Sequence, residues 1–440
     1  VPELGTTQNE TRCDVLVVGG GPAGSTIAAL LAARGHDVVL VEKDKHPRFH
    51  IGESLLPMNL PLLDRLGVGE EVAKIGMVKY GAEFVSPYHR KTVTFNFGNA
   101  WNKNFPYAYQ VRRSEFDLVL LDHARRQGAR VIEECKVTGV EFDPDGGSRA
   151  RASHADGRVA SFAARFIVDA SGRDTLLANR FQIKERNAKH NSAALYGHFR
   201  GAERLPGEAE GNISIFWFDH GWFWFIPLAD GTTSVGAVCW PYYFKRRQAD
   251  ATSFFLETIA LCPEAAHRLR DAELTGPATA TGNYSYRARR CSGPGYLMLG
   301  DAFAFIDPVF STGVFLAMNS AFLGAETVET CLNEPHHAAR ALRRFEAQIR
   351  DGIDTFSWYI YRVTTPALRE LFMGPRNVLR VEEALLSLLA GDIYGRRSIR
   401  RRLVIFKCIY YLNSLRHVKT SVSAWRNRRR AISEATVEAS

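Results

Sequence analysis

The chain has no uncharged apolar run of about 18 residues, the length a bilayer-spanning helix needs, so none of its 440 residues is expected to cross a membrane. Cysteine is scarce and badly placed for metal. Cys13, Cys135, Cys239, Cys262, Cys291, Cys331 and Cys408 are scattered, odd in number and never in C-x-x-C spacing. Such a set argues for reduced thiols and against zinc, so no metal site is expected. The stretch Val1 to Thr11 lacks the basic-then-apolar order of a secretory signal, which gives the expectation of a cytoplasmic protein. Internal repeats and low-complexity tracts are also missing. An excess of one charge is missing from most of the chain. The formal net charge is +9, and the 14 Lys/Arg against 5 Asp/Glu from Pro375 onward account for it. A basic C-terminal segment could meet nucleic acid, anionic lipid or an acidic protein. Few of those basic residues alternate with stacking aromatics, Trp425 being the main exception, so nucleic acid is not an expected partner.

What is present begins with a buried-strand pattern at 14–18 (DVLVV), followed at once by Gly19-Gly20-Gly21-Pro22-Ala23-Gly24. A helical run from Ser25 to Arg34 and a second strand, Asp37 to Val41, ending at Glu42, come next. A glycine motif between a strand and a helix, with an acidic residue about 20 positions on, is the context of a dinucleotide-binding turn. Gly19 allows the tight turn, Gly21 lets backbone approach a pyrophosphate, Pro22 and Ala23 belong to the same cofactor-binding turn, and Gly24 lets helix and strand pack closely. Glu42 would take the adenosine ribose hydroxyls.

A second device of this kind lies at Gly300 to Met318 (GDAFAFIDPVFSTGVFLAM). The apolar run Tyr296 to Leu299 reads as a strand delivering Asp301, which can accept hydrogen bonds from a sugar-alcohol chain. The chain then turns through Asp307-Pro308. Val314, Met318, Ala321, Ala325 and Val328 have helical spacing. A helix starting at Ser311-Thr312-Gly313 points unpaired amides at whatever lies in front of it.

Between these devices stand Arg48 to Pro57 (RFHIGESLLP), Arg113-x-x-Phe116-Asp117 and Asp169-Ala170-Ser171-Gly172-Arg173. In that order the motifs resemble the FAD-dependent monooxygenase superfamily of the hydroxybenzoate-hydroxylase type, over roughly residues 12 to 330. The resemblance implies an α/β chain: a Rossmann-like FAD-binding domain, a mostly antiparallel sheet substrate domain and a helical C-terminal segment. It implies a core over residues 1–340, with the sheet layer within about 82–110 and 190–285, and a helical region over 341–440 with a basic tail. It also implies non-covalent FAD contacted by Arg48, Ser54, Arg113, Asp301, Pro308 and Gly313, with Asp169 to Arg173 walling the pyrophosphate. Alternation at Thr92–Phe97, Ile213–Phe218 and Ser234–Trp240 suits the antiparallel sheet, with Phe95, Phe97, Phe216 and Trp217 expected in the core. Helical patterns continue through Trp358–Tyr361, Glu382–Ala390 and Arg401–Leu412. Trp425 to Arg430 is expected to end the ordered part, and Ala431 to Ser440 to be disordered.

Three further features resemble flavin-dependent halogenases. Gly221 to Pro227 (GWFWFIP) matches their W-x-W-x-I-P element through Trp222, Trp224 and Pro227. Phe305-x-Asp307-Pro308-x-x-Ser311-x-Gly313 matches their F-x-x-P-x-x-S-x-G element, and Lys79 falls where their active-site lysine falls. The likeness is to the branch acting on phenols and pyrroles, free or tethered to an acyl or peptidyl carrier protein, and it extends into Leu388 to Tyr394. It implies FAD supplied reduced, as FADH2, by a separate flavin reductase, and halogenation with dioxygen and chloride or bromide through a flavin hydroperoxide, hypohalous acid and Lys79. The physical reasons are separate. A halide leaves water only with compensation, which the amides of Thr312 and Gly313 offer. The indoles of Trp222 and Trp224 would bar an aromatic substrate from the flavin. Burial of Lys79 would open a haloamine route beside hydrogen-bonded hypohalous acid. Where tryptophan halogenases carry a Glu this chain has Phe310, which favours an electron-rich phenol or pyrrole. The basic stretch Arg396, Arg397, Arg400, Arg401 and Arg402 could dock an acidic carrier. The rival within the same fold is an aromatic hydroxylase or isoprenoid reductase, which needs no halide.

Overall fold

The computed structural model describes residues 10–143, 146–187, 190–282, 285–394 and 397–416. The expected end of order at Trp425–Arg430, the tail 431–440 and Arg396 lie outside the described residues. The apolar run at 14–18 becomes the strand Thr11–Val18, central in an eight-stranded sheet. Val38–Val41 pairs parallel on one side and Val159–Asp169 on the other, and Arg130–Ile132 and Tyr296–Met298 extend the parallel run. Crossover helices cover both faces of such strands, which therefore read as continuous Val/Ile/Leu runs and not as alternating ones. The first of these helices is Pro22–Ala32. Pro22 suits the first turn, where its missing N–H leaves no intrahelical bond unmade. This helix packs between Arg113–Arg126 and the long helix Gly313–Asn333.

A second eight-stranded sheet has the order Glu273–Leu274, Ala193–Arg200, Thr232–Cys239, Gly221–Pro227, Ile213–Phe218, Gly81–Ser86 and Lys91–Asn96, with Thr279–Thr281 also on Ala193–Arg200. It is antiparallel except where Ile213–Phe218 runs alongside Gly81–Ser86. The chain between those two strands leaves for the first sheet and returns, which is the long connection a parallel pair requires. Alternate side chains of this sheet join different cores. Ile213, Ile215, Trp217, Trp222, Trp224 and Ile226 belong to the main cluster. Phe216, Phe218, Phe223 and Phe225 join a second cluster closed by Phe254 and Phe255 of the helix Ala251–Ala260. Burial on both faces explains why Gly221–Pro227 is aromatic at every second position on each side.

After Phe305 the described chain contains no further strand. In Ala338–Ile360, Leu342, Phe345, Ile349, Ile353 and Phe356 recur every three or four residues and are buried, and the helix packs along Gly313–Asn333. Pro366–Met373 sets Phe372 against Phe84, Phe95 and Phe310. Val381–Ala390 packs on the turn Phe97–Asn99, where Trp101 N donates to Ser387 Oγ at 2.9 Å. The run expected over Arg401–Leu412 is longer, Arg397–Arg416. No helix among the described residues is long and apolar enough to cross a membrane.

Candidate active site

The parallel strands end together at Val18, Val41 and Asp169, and the loops that follow line a cavity of about 1000 Å³. Open parallel sheets bind ligands at this edge. The strand Gly221–Pro227 supplies part of the opposite wall through Trp222, Trp224 and Ile226.

The glycine turn meets the steric requirement read from its sequence. Gly19 has φ +105°, and a Cβ there would fall 2.3 Å from the Ala170 carbonyl oxygen. At Gly24 a Cβ would fall 1.9 Å from the Gly19 oxygen, whereas at Gly21 it would meet nothing nearer than Arg48 Nη2 at 3.7 Å. Gly21 therefore presents bare backbone to the cavity, beside Pro22 and Ala23, and Gly24 does not line it. Glu42 is buried in the wall, its Oε2 accepting from Gly20 N at 2.5 Å and its Oε1 from Asp44 N at 2.9 Å.

Arg48 and Arg113 converge on Asp117. Arg113 Nε and Nη2 donate to the two Asp117 oxygens at 2.8 and 3.0 Å, and Nη1 donates to the Ile51 carbonyl at 2.7 Å. Burial works to raise the Asp117 carboxyl, and the Arg113 guanidinium, with His50 and Arg48, more than reverses it, leaving Asp117 below the ordinary carboxylate range. Arg48 Nη1 lies 3.4 Å from Asp117, yet Nε and Nη1 of Arg48 are buried with no hydrogen-bond acceptor. Unmade bonds on a buried cation are costly, and an anionic occupant of the cavity would supply the acceptors. Asp301 also lines the cavity. Burial pushes its carboxyl up to about 6, against the pull of Arg173 and Arg113.

Pro308, Ser311, Thr312 and Gly313 bring the start of the 21-residue helix Gly313–Asn333 to the same cavity. Ser311 is left-handed at φ +55°, which turns the chain into the helix. Asp307 fixes the approach: its Oδ1 accepts from Val309 N at 3.1 Å and its Oδ2 lies 2.7 Å from His190 Nε2. Trp222 and Trp224 stand 6.1 Å apart, centroid to centroid, and Trp224 Nε1 donates to Ser234 Oγ at 3.2 Å. Gly236 pairs opposite Trp224, and a Cβ there would fall 2.2 Å from the indole.

Lys79 is 1% exposed and is not part of the cavity wall. It ends the strand Met77–Lys79, and its Nζ donates to Ser54 Oγ at 2.6 Å, 5.5 Å from the Phe97 ring centroid. Ser54 does line the cavity, so the amine stands one hydroxyl behind the wall. Burial lowers Lys79 from 10.5 to about 7. Pro227 and Phe310 are not in the wall; Phe310 stacks on Phe372 at 6.1 Å. Phe95, Phe97, Phe216 and Trp217 are buried and do not line the cavity. Sequence reading passed over the pairings of His190 with Asp307 and of His198 with Glu53. Their partners lie more than 100 residues apart, beyond any periodicity. Among the described residues one group has metal-ligand spacing, Glu334, His336 and His337, all exposed and none lining the cavity.

The fold, the cavity and the glycine turn define a flavoprotein. Residues 12–339 match the model of the FAD binding domain family, and the bare glycine edge with two unsatisfied Arg48 donors fits such a ligand. Over 329 residues the chain is 37% identical to a tryptophan 2-halogenase of Chondromyces crocatus, covering 72% of this chain and 61% of that protein. It is 30% identical over 409 residues to a 1H-pyrrole-2-carbonyl-(peptidyl-carrier protein) chlorinase of Pseudomonas fluorescens, covering 88% of this chain and 90% of that one. A solved flavoprotein/dehydrogenase of Cytophaga hutchinsonii superposes with a TM-score of 0.84 at 30% identity, over 92% of this chain and all of that one. The chain belongs to the flavin-dependent halogenases, and FAD is its cofactor.

Proposed function

We propose that the protein halogenates an electron-rich phenol or pyrrole, free or tethered to a carrier protein, with chloride or bromide. Bound reduced flavin, delivered by a separate reductase, supplies the oxidising power from dioxygen. The residues do the rest. Thr312 and Gly313 hold the halide, since the first amides of a long helix have no intrahelical acceptor and a low-dielectric surround strengthens their pull. Trp222 and Trp224 fill the space in which a hydroxylase would seat its aromatic ring. Lys79 receives the oxidised halogen from across Ser54 and aims it at one ring carbon. An amine lowered to about 7 is present in both protonation states near neutral pH, so it can donate to hypohalous acid or attack it.

The observation that carries this reading is the burial of a lone amine one hydroxyl behind the flavin cavity. Phe310, packed on Phe372, leaves no carboxylate where tryptophan halogenases have one, which favours a substrate that needs no such help over free tryptophan. The cysteines, all unpaired, suit a cytoplasmic setting; residues 1–340 are the catalytic unit and the helical region over 341–440 is the substrate-side cover. The test is turnover with FAD, a flavin reductase, NADH, bromide or chloride, and a panel of free and carrier-loaded phenols and pyrroles. A halogen isotope doublet in the product supports the reading. A hydroxylated product formed without halide assigns the chain to hydroxylation instead.

Carrier docking follows from the last helix. Arg400 is paired with Asp351, and Arg402 donates to the Leu379 carbonyl and stacks on Trp101. Arg397 and Arg401 remain exposed, on the same side as Val404, Tyr411 and Leu415 at helical spacing, themselves at least half exposed. Replacing Arg397 and Arg401 by Glu should raise KM for a carrier-tethered substrate about tenfold through repulsion and leave a free one unchanged. Equal loss on both removes the docking role.

A further inference from the structure

Glu53 is a buried acid that none of these roles uses. Glu53 and Ser54 both line the cavity, and the Ser54 hydroxyl is engaged by Lys79. Glu53 is 1% exposed. Its Oε1 lies 2.8 Å from His198 Nε2, and its Oε2 is buried with no hydrogen-bond partner. A carboxylate oxygen in that state calls for a donor from the cavity or a proton of its own. His198 is the outer member of the pair, with the ring of the exposed Phe49 edge-on to it at 5.8 Å. Tyr196 lies within electrostatic reach of Glu53, and the neighbouring Ser54 links on to Lys79. Tyr196 is raised mainly by burial, Arg173 opposing and Glu53 adding to the rise.

We infer that Glu53 and His198 are a proton-exchange pair serving the flavin chamber: His198 takes a proton from solvent, and Glu53 Oε2 delivers it to a nitrogen or oxygen in the chamber. The inference rests on FAD as the occupant and not on the halide chemistry. His198, protonated from solvent at Nδ1, breaks its Nε2–H bond as an O–H bond forms at Glu53 Oε1. The carboxyl turns to present that proton on the cavity side, where the O–H bond breaks as one N–H or O–H bond forms in the chamber, and no electrons move. The transfer is needed because reduced flavin held as its anion consumes one proton when dioxygen oxidises it to flavin and hydrogen peroxide, and here it does so in a chamber walled by indoles.

The test needs neither halide nor aromatic substrate. Calorimetric titration of the full chain with oxidised FAD, and anaerobically with reduced FAD, in buffers of different ionisation enthalpy counts the protons exchanged. Stopped-flow absorbance follows reoxidation by dioxygen. Wild-type protein should exchange a pH-dependent fraction of a proton with reduced FAD. Glu53→Gln should bind oxidised FAD within about threefold and lose that exchange, and His198→Gln should slow reoxidation about a hundredfold with a larger solvent deuterium effect. Wild-type proton counts in Glu53→Gln overturn the pair. So does loss of FAD binding by Glu53→Gln together with a wild-type count and reoxidation rate in His198→Gln, which makes Glu53 a binding contact only.

Discussion

Replacing Lys79 by Met should make the protein more stable while ending its activity. The ammonium is walled in by Phe97 and reached by one hydroxyl, that of Ser54, among the hydrogen bonds of the described residues. Burial moves its pKa from 10.5 down to about 7. At about 1.4 kcal/mol for each pH unit, the charged form costs the fold about 5 kcal/mol. Above pH 10.5 both the folded and the unfolded chain carry a neutral amine and the cost vanishes. Between 10.5 and about 7 the unfolded chain holds a proton that the folded chain has released, so stability rises with pH across this window. Below about 7 the whole cost is in place. Methionine fills similar space without charge and forgoes about 1 kcal/mol from the Ser54 hydrogen bond. The expected gain is therefore about 3 to 4 kcal/mol at pH 7, shrinking steadily toward pH 9.5. Urea unfolding of the FAD-free protein, followed by circular dichroism at a series of pH values, measures it. A Lys79→Met protein less stable than wild type at pH 7, or a pH slope equal to that of wild type, refutes the reasoning.

Two other changes separate the cofactor site from the barrier. Arg48→Gln removes a guanidinium with two unmet donors and should weaken FAD binding about ten- to a hundredfold, as read by flavin fluorescence quenching. Gly236→Ala drives a methyl group into the Trp224 indole, 2.2 Å away. Moving that ring should cost about 1 to 3 kcal/mol of stability and raise the oxygen consumed per product formed, measured by oxygen electrode and chromatography.

The parallel core was legible because its strands are buried on both faces and its glycines are forced: Gly19 and Gly24 each face a backbone oxygen that any Cβ would strike. The helix start at Gly313 was legible from the Asp307-Pro308 turn and the helical spacing of Val314, Met318 and Ala321 after it; the left-handed Ser311 between them was not. Lys79 was placed by resemblance alone; its depth, and the hydroxyl between it and the cavity, come from a strand pair, Met77–Lys79 with Ala108–Gln110, too short to leave a pattern. Phe310, read in the sequence as standing where tryptophan halogenases carry a Glu, lies in the aromatic core because Phe372 of the helix Pro366–Met373 stacks on it. Glu53 stood in plain view within the motif Gly52-Glu53-Ser54. Nothing local marks its partner His198, because the pairing exists only once the second sheet is assembled.

The central claim is that the halogen oxidant forms in one compartment and is used in another. The direct measurement is the fate of that oxidant in Lys79→Ala, with FAD, reductase, NADH, dioxygen and bromide, in the presence of aromatic substrate and a thiol scavenger. The account predicts continued oxygen consumption, bromide-dependent oxidation of the scavenger and no halogenated aromatic, against efficient halogenation by wild type. Halogenation of the aromatic by Lys79→Ala at the wild-type rate, or wild-type turnover that ignores bromide, contradicts it.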